Sequence, residues 1–405
     1  MEILLVCVAY PPEIRSASDL MKELAEDLKK RGHEITVATC YPRYNLAEKT
    51  FKKTYRECSY EGGIRVIRIH TPPHHKVNFI IRGLSQVSLP YIFLSKLRKY
   101  IKRKVDAVIV YTPALPLWSV GYFFKKKFGA RFILNVQDIF PQNAIDLGIL
   151  RNQLLIRFFE RMERRAYECA DIVTVHSSSN RSFLLDKRKV SASKLITLHN
   201  WVEIGKHITQ NKEGLYRQKL NLENAFIIFF GGVLGPSQGL DLIVEAAKQI
   251  QSQKQIIILI AGDGMEKERL INQVKQNGLK NVGFIPFVSK EEYEKLLREV
   301  DVGLVCLTSK NKTPVVPGKI LGYMAAGIPV LAFLNCESDG HHIIREARCG
   351  YSEIYGDVTR AAQMIVKIHE EKNSLKELGM NGYKYALKNF SRKECVDRLE
   401  GLLRG

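Results

Sequence analysis

Lys319 stands in the stretch of this chain whose residue types most directly suggest chemistry, Pro317–Val330. The lysine enters a short helical pattern just after Pro317-Gly318, and Gly327 and Pro329 end that pattern before the apolar run 330–334. The first N–H groups of a helix lack intrahelical partners, so an ammonium group beside them can hold the oxygens of a nucleotide diphosphate. The same residues also fit an ordinary helix–strand connection. Three neighbouring turns weigh toward the first reading. Gly231 and Gly232 lead through Gly235, Gln238 and Gly239 into a helical pattern, Ala261–Gly264 is a second glycine turn, and Asn281–Val288 is a third, ahead of Ser289-Lys290-Glu291-Glu292. Glycines let the backbone approach a ligand closely, and such turns after parallel strands build a ligand crevice.

The elements that must position these turns are legible as alternating patterns. The run 2–9 reads as a strand, Ser16–Asp19 fits a capping box, and Leu20, Met21, Leu24, Ala25 and Leu28 mark a helical face closed by Gly32. Further strands are expected at 35–39, 66–69, 107–111, 132–136 and 172–175, and a second series at 226–230, 256–260, 282–284, 302–307 and 330–333, with helical patterns between them. That alternation predicts an α/β chain of two Rossmann-like, doubly wound domains, with ligands at the carboxyl ends of the strands and a central cleft as the natural site. The expected division is 1–200, 201–388 and a last helix within 389–405 that packs back on the first domain.

With 405 residues and 45% apolar content, the chain exceeds what one hydrophobic core usually supports. Its eight cysteines show no zinc spacing, and Cys7, Cys40 and Cys306 lie in apolar runs, so reduced thiols in a cytoplasmic protein are expected. The apolar run 3–8 is too short for a signal peptide or a membrane span, and export is not expected. Net charge is +20 and unevenly placed: residues 1–200 carry 34 Lys and Arg against 18 Asp and Glu, and residues 201–405 carry 28 against 24. One domain is therefore expected to face an anionic surface or acceptor.

In order and spacing, Gly232–Leu240, Ala261–Glu266, Asn281–Val288 and Lys319–Val330 resemble the donor half of retaining glycosyltransferases of family four, with the GT-B fold. In the first half, Tyr10-Pro11-Pro12-Glu13, Val136–Pro141 and Leu147-Gly148 resemble the fucosamine-transferase-like group that builds bacterial surface polysaccharides. The resemblance covers nearly the whole chain. It implies transfer of a sugar from a UDP-sugar donor substrate to a lipid-linked, polyprenyl-diphosphate saccharide with retained configuration. It also implies no cofactor and no metal: no Asp-x-Asp or His/Asp cluster is evident, and cations and helix N-termini must meet the leaving-group charge.

By this resemblance the donor contacts fall on Gly232, Gly235, Gln238, Gly239, Pro286, Phe287, Val288, Lys319 and Ile320. Two glutamates that many members carry are replaced by Pro314 and Gly322, and a loop arginine and lysine by Val233 and Gln238. Glu337 is the candidate to replace the missing ribose carboxylate, or else an exposed loop acid. Asp138, just after a strand, is the catalytic-site candidate, as a positioning residue for the acceptor hydroxyl or the transferred sugar; it also fits a turn cap. Arg15 and Glu13 are candidates for acceptor contact, with a plain turn role open to Glu13.

Residues 76–104 hold eight Lys and Arg and no acid, interleaved with apolar residues and interrupted by Arg82, Gln86 and Pro90. With Lys96, Arg98, Lys99, Lys102 and Arg103 at one end, the segment suits an anionic membrane surface at the inner face of the cell membrane; a core helix with a solvated basic tail is the alternative. No nucleic-acid motif accompanies the charge, so nucleic acid is not an expected partner. Two other functions remain open to the sequence: a non-catalytic GT-B subunit that binds a lipid acceptor or partner, and a soluble UDP-sugar epimerase.

Overall fold

Strands rich in Ile, Val, Leu and Phe with no alternation of polar residues must be covered on both faces, and two parallel sheets satisfy that demand here. The computed structural model describes residues 1–43, 46, 54–73, 79–112, 114–204, 214–286, 288–310, 312 and 314–404. The chain divides into one unit of Met1–Asn200 with Cys395–Gly405 and a second of Trp201–Glu394.

The first unit contains β1 (Glu2–Val6), β2 (Glu34–Cys40), β3 (Cys58–Glu61), β4 (Ile64–Ile69), β5 (Ala107–Tyr111), β6 (Arg131–Val136), β7 (Ile172–Val175) and β8 (Leu195–Thr197). They form one sheet in the order β3-β4-β2-β1-β5-β6-β7-β8, parallel except for β3. The strand order reverses between β1 and β5, so the loops after those two strands part and leave a crevice at their carboxyl ends. Residues 7–9, expected to continue the strand, are buried but lie beyond β1, with Cys7 N–H still donating to Ala38 O at 3.0 Å. The helix Ser16–Lys30 starts after Arg15, with no side-chain cap, so the expected capping box is absent there. A capping box does form at Ser289 and Glu292.

The basic segment folds as the helix Phe79–Tyr100, which runs through Pro90 rather than stopping at it. Leu89, Phe93 and Leu97, spaced four apart, are fully buried and continue into Ile101. This apolar stripe belongs to the core and not to a lipid surface. The last helix, Arg392–Arg404, buries Cys395, Val396, Leu399 and Leu403. Its Asp397 and Glu400 hold Arg31 at 2.6 and 2.7 Å, and Glu400 also meets His33 at 3.1 Å.

In the second unit, β9 (Phe226–Gly231), β10 (Ile256–Ala261), β11 (Val282–Ile285), β12 (Val302–Cys306), β13 (Val330–Leu334) and β14 (Gly350–Ile354) form a sheet in the order β11-β10-β9-β12-β13-β14. All its ladders are parallel. Strand period two sorts the side chains: Phe226, Ile228 and Phe230 pack into the core on one face, and Ile227 and Phe229 into the core on the other. The order reverses between β9 and β12, which places a second crevice at their carboxyl ends. Among the described residues no helix is long and apolar enough to cross a membrane.

Candidate active site

Four loops of the second unit meet at its switch point: those after β9, β10, β12 and β13. Gly232 follows β9 with φ +141°, and a Cβ there would sit 2.9 Å from Lys319 Cε, so glycine leaves the space that the lysine stem occupies. Lys319 lies in the first turn of the helix Gly318–Ala325. Its Nζ donates to Gln238 Oε1 at 2.9 Å and stands 4.7 Å from the centre of the Phe230 ring. Burial pulls its pKa down to about 8, against a weaker opposing influence from Cys306. A partly desolvated ammonium beside a helix N-terminus is suited to an anion that restores its lost solvation.

One turn along the same helix, Tyr323 is fully buried. Its hydroxyl donates to Phe229 O at 3.0 Å and accepts from Gly231 N–H at 3.3 Å, tying the lysine helix to the glycine loop. Its ring lies 2.3 Å from where a Gly303 Cβ would be, so β12 needs a glycine at that point. Sequence reasoning missed Tyr323; the available signal was an aromatic one turn after the lysine, with a polar end that burial obliges to find a partner.

Several expected donor contacts have internal work in this structure. Ile320 is a correction: its side chain is fully buried and its N–H donates to Pro317 O at 2.9 Å. In the glycine loop the N–H groups of Gly232, Leu234 and Gln238 donate to Ala261, Asp263 and Gly235 carbonyls at 2.9, 2.9 and 3.0 Å, so those amides are already committed. Gly235 precedes the short 3-10 turn Pro236–Gln238. Gly239 takes φ +59° with the Tyr355 ring against it. Pro286 is exposed and Val288 half-buried in the loop after β11; Phe287 lies outside the described residues.

Glu337 is half-buried in the loop after β13. Burial raises its pKa, but hydrogen bonds from Cys336, Asn335 and its own backbone outweigh that and hold the carboxyl below its ordinary value. Ser338 Oγ donates to Val315 O at 2.8 Å, which draws the Glu337 loop to the segment leading into Lys319.

In the first unit, Asp138 follows β6 and reaches solvent. Desolvation by the surrounding protein raises its carboxyl pKa, with His176 pulling the other way. His176, just after β7, was also missed; it is buried, and its Nε2 meets Gln137 O at 2.8 Å. Gln137 N–H donates to Thr112 Oγ1 at 3.2 Å and Asn200 Nδ2 donates to Gln137 Oε1 at 2.6 Å, so the residue before Asp138 is fixed from three strand ends. Tyr111 at the end of β5 is buried, and the Asp138 charge adds to the burial that raises its phenol pKa. Glu13 is 6% exposed, accepts Arg43 N–H at 3.0 Å and pairs with Arg15 at 3.7 Å, so it holds the turn after β1. Arg15 remains partly accessible.

The basic residues expected at a membrane divide. Lys96 pairs with Glu57 at 2.8 Å and Arg98 covers the Phe123 ring at 4.7 Å. Lys99 lies over Tyr100 at 5.6 Å. Lys102 and Arg103 are exposed beside Glu2 and Glu34, at the amino ends of β1 and β2.

Two doubly wound sheets, the second with a cationic, glycine-lined turn at its switch point, make a ligand-binding architecture, and the class of enzyme follows from similarity to known families. Residues 18–201 match the model of the glycosyl transferase 4-like domain and residues 212–385 that of the glycosyl transferases group 1. The chain is a glycosyltransferase built from these two domains, with the GT-B fold. It is 28% identical over 336 residues to the putative colanic acid biosynthesis glycosyl transferase WcaI of Escherichia coli (strain K12), covering 81% of this chain and 82% of that one. It is 26% identical to the probable glycosyltransferase WbjE of Pseudomonas aeruginosa, covering 74% of each. Sucrose-phosphate synthase from Thermosynechococcus elongatus superposes with TM-score 0.78 at 18% identity, covering 99% and 98%. Anabaena HepE in complex with UDP gives TM-score 0.75 at 16% identity, covering 100% and 99%. The relatives' names support neither a non-catalytic subunit nor an epimerase.

Proposed function

We propose that this glycosyltransferase moves a sugar from a UDP-sugar to a lipid-linked, polyprenyl-diphosphate saccharide in the assembly of a bacterial surface polysaccharide, with retained configuration. The observation that carries the donor half is Lys319: a desolvated ammonium at a helix start, held at the switch point by Gln238 and the Phe230 ring. An ammonium in that setting complements a diphosphate and stabilises the charge that grows on it as the sugar leaves, without a metal ion in that role. The solved structure of HepE with UDP, and the colanic acid context in the name of WcaI, support the donor and the pathway class respectively.

The acceptor half rests on the first unit. Asp138, fixed through Gln137, would orient the acceptor hydroxyl, and Arg15 would meet an acceptor phosphate. The leaving phosphate oxygen takes the acceptor proton, so Asp138 acts as a positioning residue. The Glu337 carboxylate, held ionised in the loop tied to the Lys319 segment, is the candidate ribose contact in place of the carboxylate that Gly322 lacks. A panel of UDP- and GDP-sugars scored by thermal shift tests the donor, because a ligand that binds only the native state raises the transition by mass action. Stabilisation by UDP-sugars is expected; stabilisation by GDP-sugars alone would overturn the assignment of uridine.

A further inference from the structure

Five of the fourteen large apolar residues that are exposed among the described residues fall within twelve positions of the first unit: Leu147, Ile149, Leu154, Leu155 and Phe158, at 40, 46, 74, 49 and 47%. They precede or open the helix Gln153–Cys169, whose inner face buries Ile156, Phe159, Glu163, Ala166 and Tyr167. Its outer face presents Leu154, Phe158, Arg161 and Arg165 at spacings of four, three and four, one continuous stripe that is apolar at the helix start and basic further along. Arg157, Arg161, Arg164 and Arg165 are exposed, and among the described residues none takes a hydrogen bond or ion pair. Glu160 and Glu168 are the acids set against them outside the buried face.

Topology places this ridge. β6 and β7 are parallel neighbours, so the chain leaves β6 at the carboxyl edge of the sheet and the helix Gln153–Cys169 runs back toward the amino edge. The apolar start of the helix therefore lies at the carboxyl edge, where Asp138 is, and a chain of rings links them: Phe140 to Phe159 at 5.0 Å and Phe159 to Phe158 at 5.2 Å. Lys102 and Arg103 lie at the amino edge beside Glu2 and Glu34. A strand of this length spans about 17–20 Å, so a bilayer at Lys102 and Arg103 would sit a full sheet depth from Asp138.

We propose that the ridge of Leu147, Ile149, Leu154, Leu155 and Phe158, with the arginines behind it, is where the first unit docks on an anionic lipid bilayer. The apolar side chains enter the headgroup boundary and the arginines pair with lipid phosphates. Charge selects the occupant: a two-fold contact between copies of this face would set arginine against arginine, whereas anionic headgroups complement it. The inference rests on the lipid-linked acceptor proposed above and deepens it, because docking here brings that lipid to the edge of the sheet that carries Asp138.

The test is sedimentation of the full chain with phosphatidylcholine vesicles, with and without an equimolar share of phosphatidylglycerol. The wild type is expected to bind the anionic vesicles, less at high salt. Leu154→Ser with Phe158→Ser, and separately Arg161→Glu with Arg165→Glu, should each weaken binding by at least about tenfold. Lys99→Glu with Lys102→Glu and Arg103→Glu should stay within about twofold of wild type, since a bilayer docked at the other edge lies beyond a Debye length of about 8 Å. The proposal is overturned if the Leu154/Phe158 variant binds like wild type, if the Lys99 variant loses as much, or if the wild type binds no vesicles. It is equally overturned if the Leu154/Phe158 variant converts a dimer to a monomer and still binds vesicles. Stabilisation by UDP, measured on the same preparations, separates the two readings: kept without vesicle binding, only the docking surface fails; lost as well, the proposed UDP-sugar donor fails too.

Discussion

Raising the pH should switch off diphosphate binding through a single group, and Lys319 sets the size of the effect. Burial lowers its pKa to about 8, so the ammonium fraction falls from about 90% at pH 7 to about 10% at pH 9. The second ionisation of a phosphate lies near 6, so the ligand's phosphate charge hardly changes over that interval. If the diphosphate is held by the ammonium form, UDP affinity drops about tenfold between pH 7 and 9, or about 1.4 kcal/mol. Titration calorimetry in buffers of different ionisation enthalpy should also show uptake of up to one proton on binding above pH 8. Lys319→Ala should weaken binding at pH 7 by about ten- to a hundredfold, as expected for loss of a charged hydrogen bond, and should abolish the pH slope. An affinity that stays level from pH 7 to 9 in the wild type, or an undiminished slope in Lys319→Ala, would refute the reasoning.

Three further outcomes are expected. Asp138→Asn should lower transfer by about a hundredfold through kcat while leaving UDP affinity unchanged, measured by steady-state kinetics and calorimetry on one preparation. Gly262→Ala should destabilise the second unit by about 2–4 kcal/mol in urea unfolding and remove UDP binding, because its Cβ would lie 1.9 Å from Gly232 O at a φ of +150°. Burial pushes the Glu163 carboxyl from 4.5 up to about 7, against the pull of Arg188 and Tyr167. The folded chain thus holds this proton more tightly than the unfolded one, so the group's contribution is fully present below pH 4.5 and lost as pH rises through 7. That slope, on the order of 3 kcal/mol, should vanish in Glu163→Gln when urea midpoints at pH 5 and 7.5 are compared.

Buried parallel strands were the most legible part of the fold, since β5 is an unbroken apolar run and β7 is apolar but for Thr174, and the limits of both match the expected ones. The strands not anticipated, β3, β8 and β14, lie at sheet edges and are short or polar, as in Cys58-Ser59-Tyr60-Glu61, so nothing in their composition sets them apart from loops. Pro90 misled for a different reason: the helix around it is held by the core contacts of Leu89 and Phe93, which outweigh a missing N–H. The placement of Lys319 at a helix start was legible because its cue is local, a cation just after Pro317-Gly318. Tyr323 and His176 were not, because what matters about each is a partner distant in sequence: Phe229 for one, Gln137 for the other. Ile320 failed as a ligand contact because the helix period turns the residue after Lys319 into the core.

The closing helix has a consequence for biosynthesis. Arg31 and His33 leave the ribosome 369 and 367 residues ahead of their partner Glu400, and Asp397 follows at a similar distance. At about 5–20 residues per second, the nascent first unit waits roughly 20–75 seconds for the segment that covers this side of it. During that interval its unmatched cationic and apolar surface is open to chaperones, and a chain released before Cys395 would carry its second unit entire and its first unfinished.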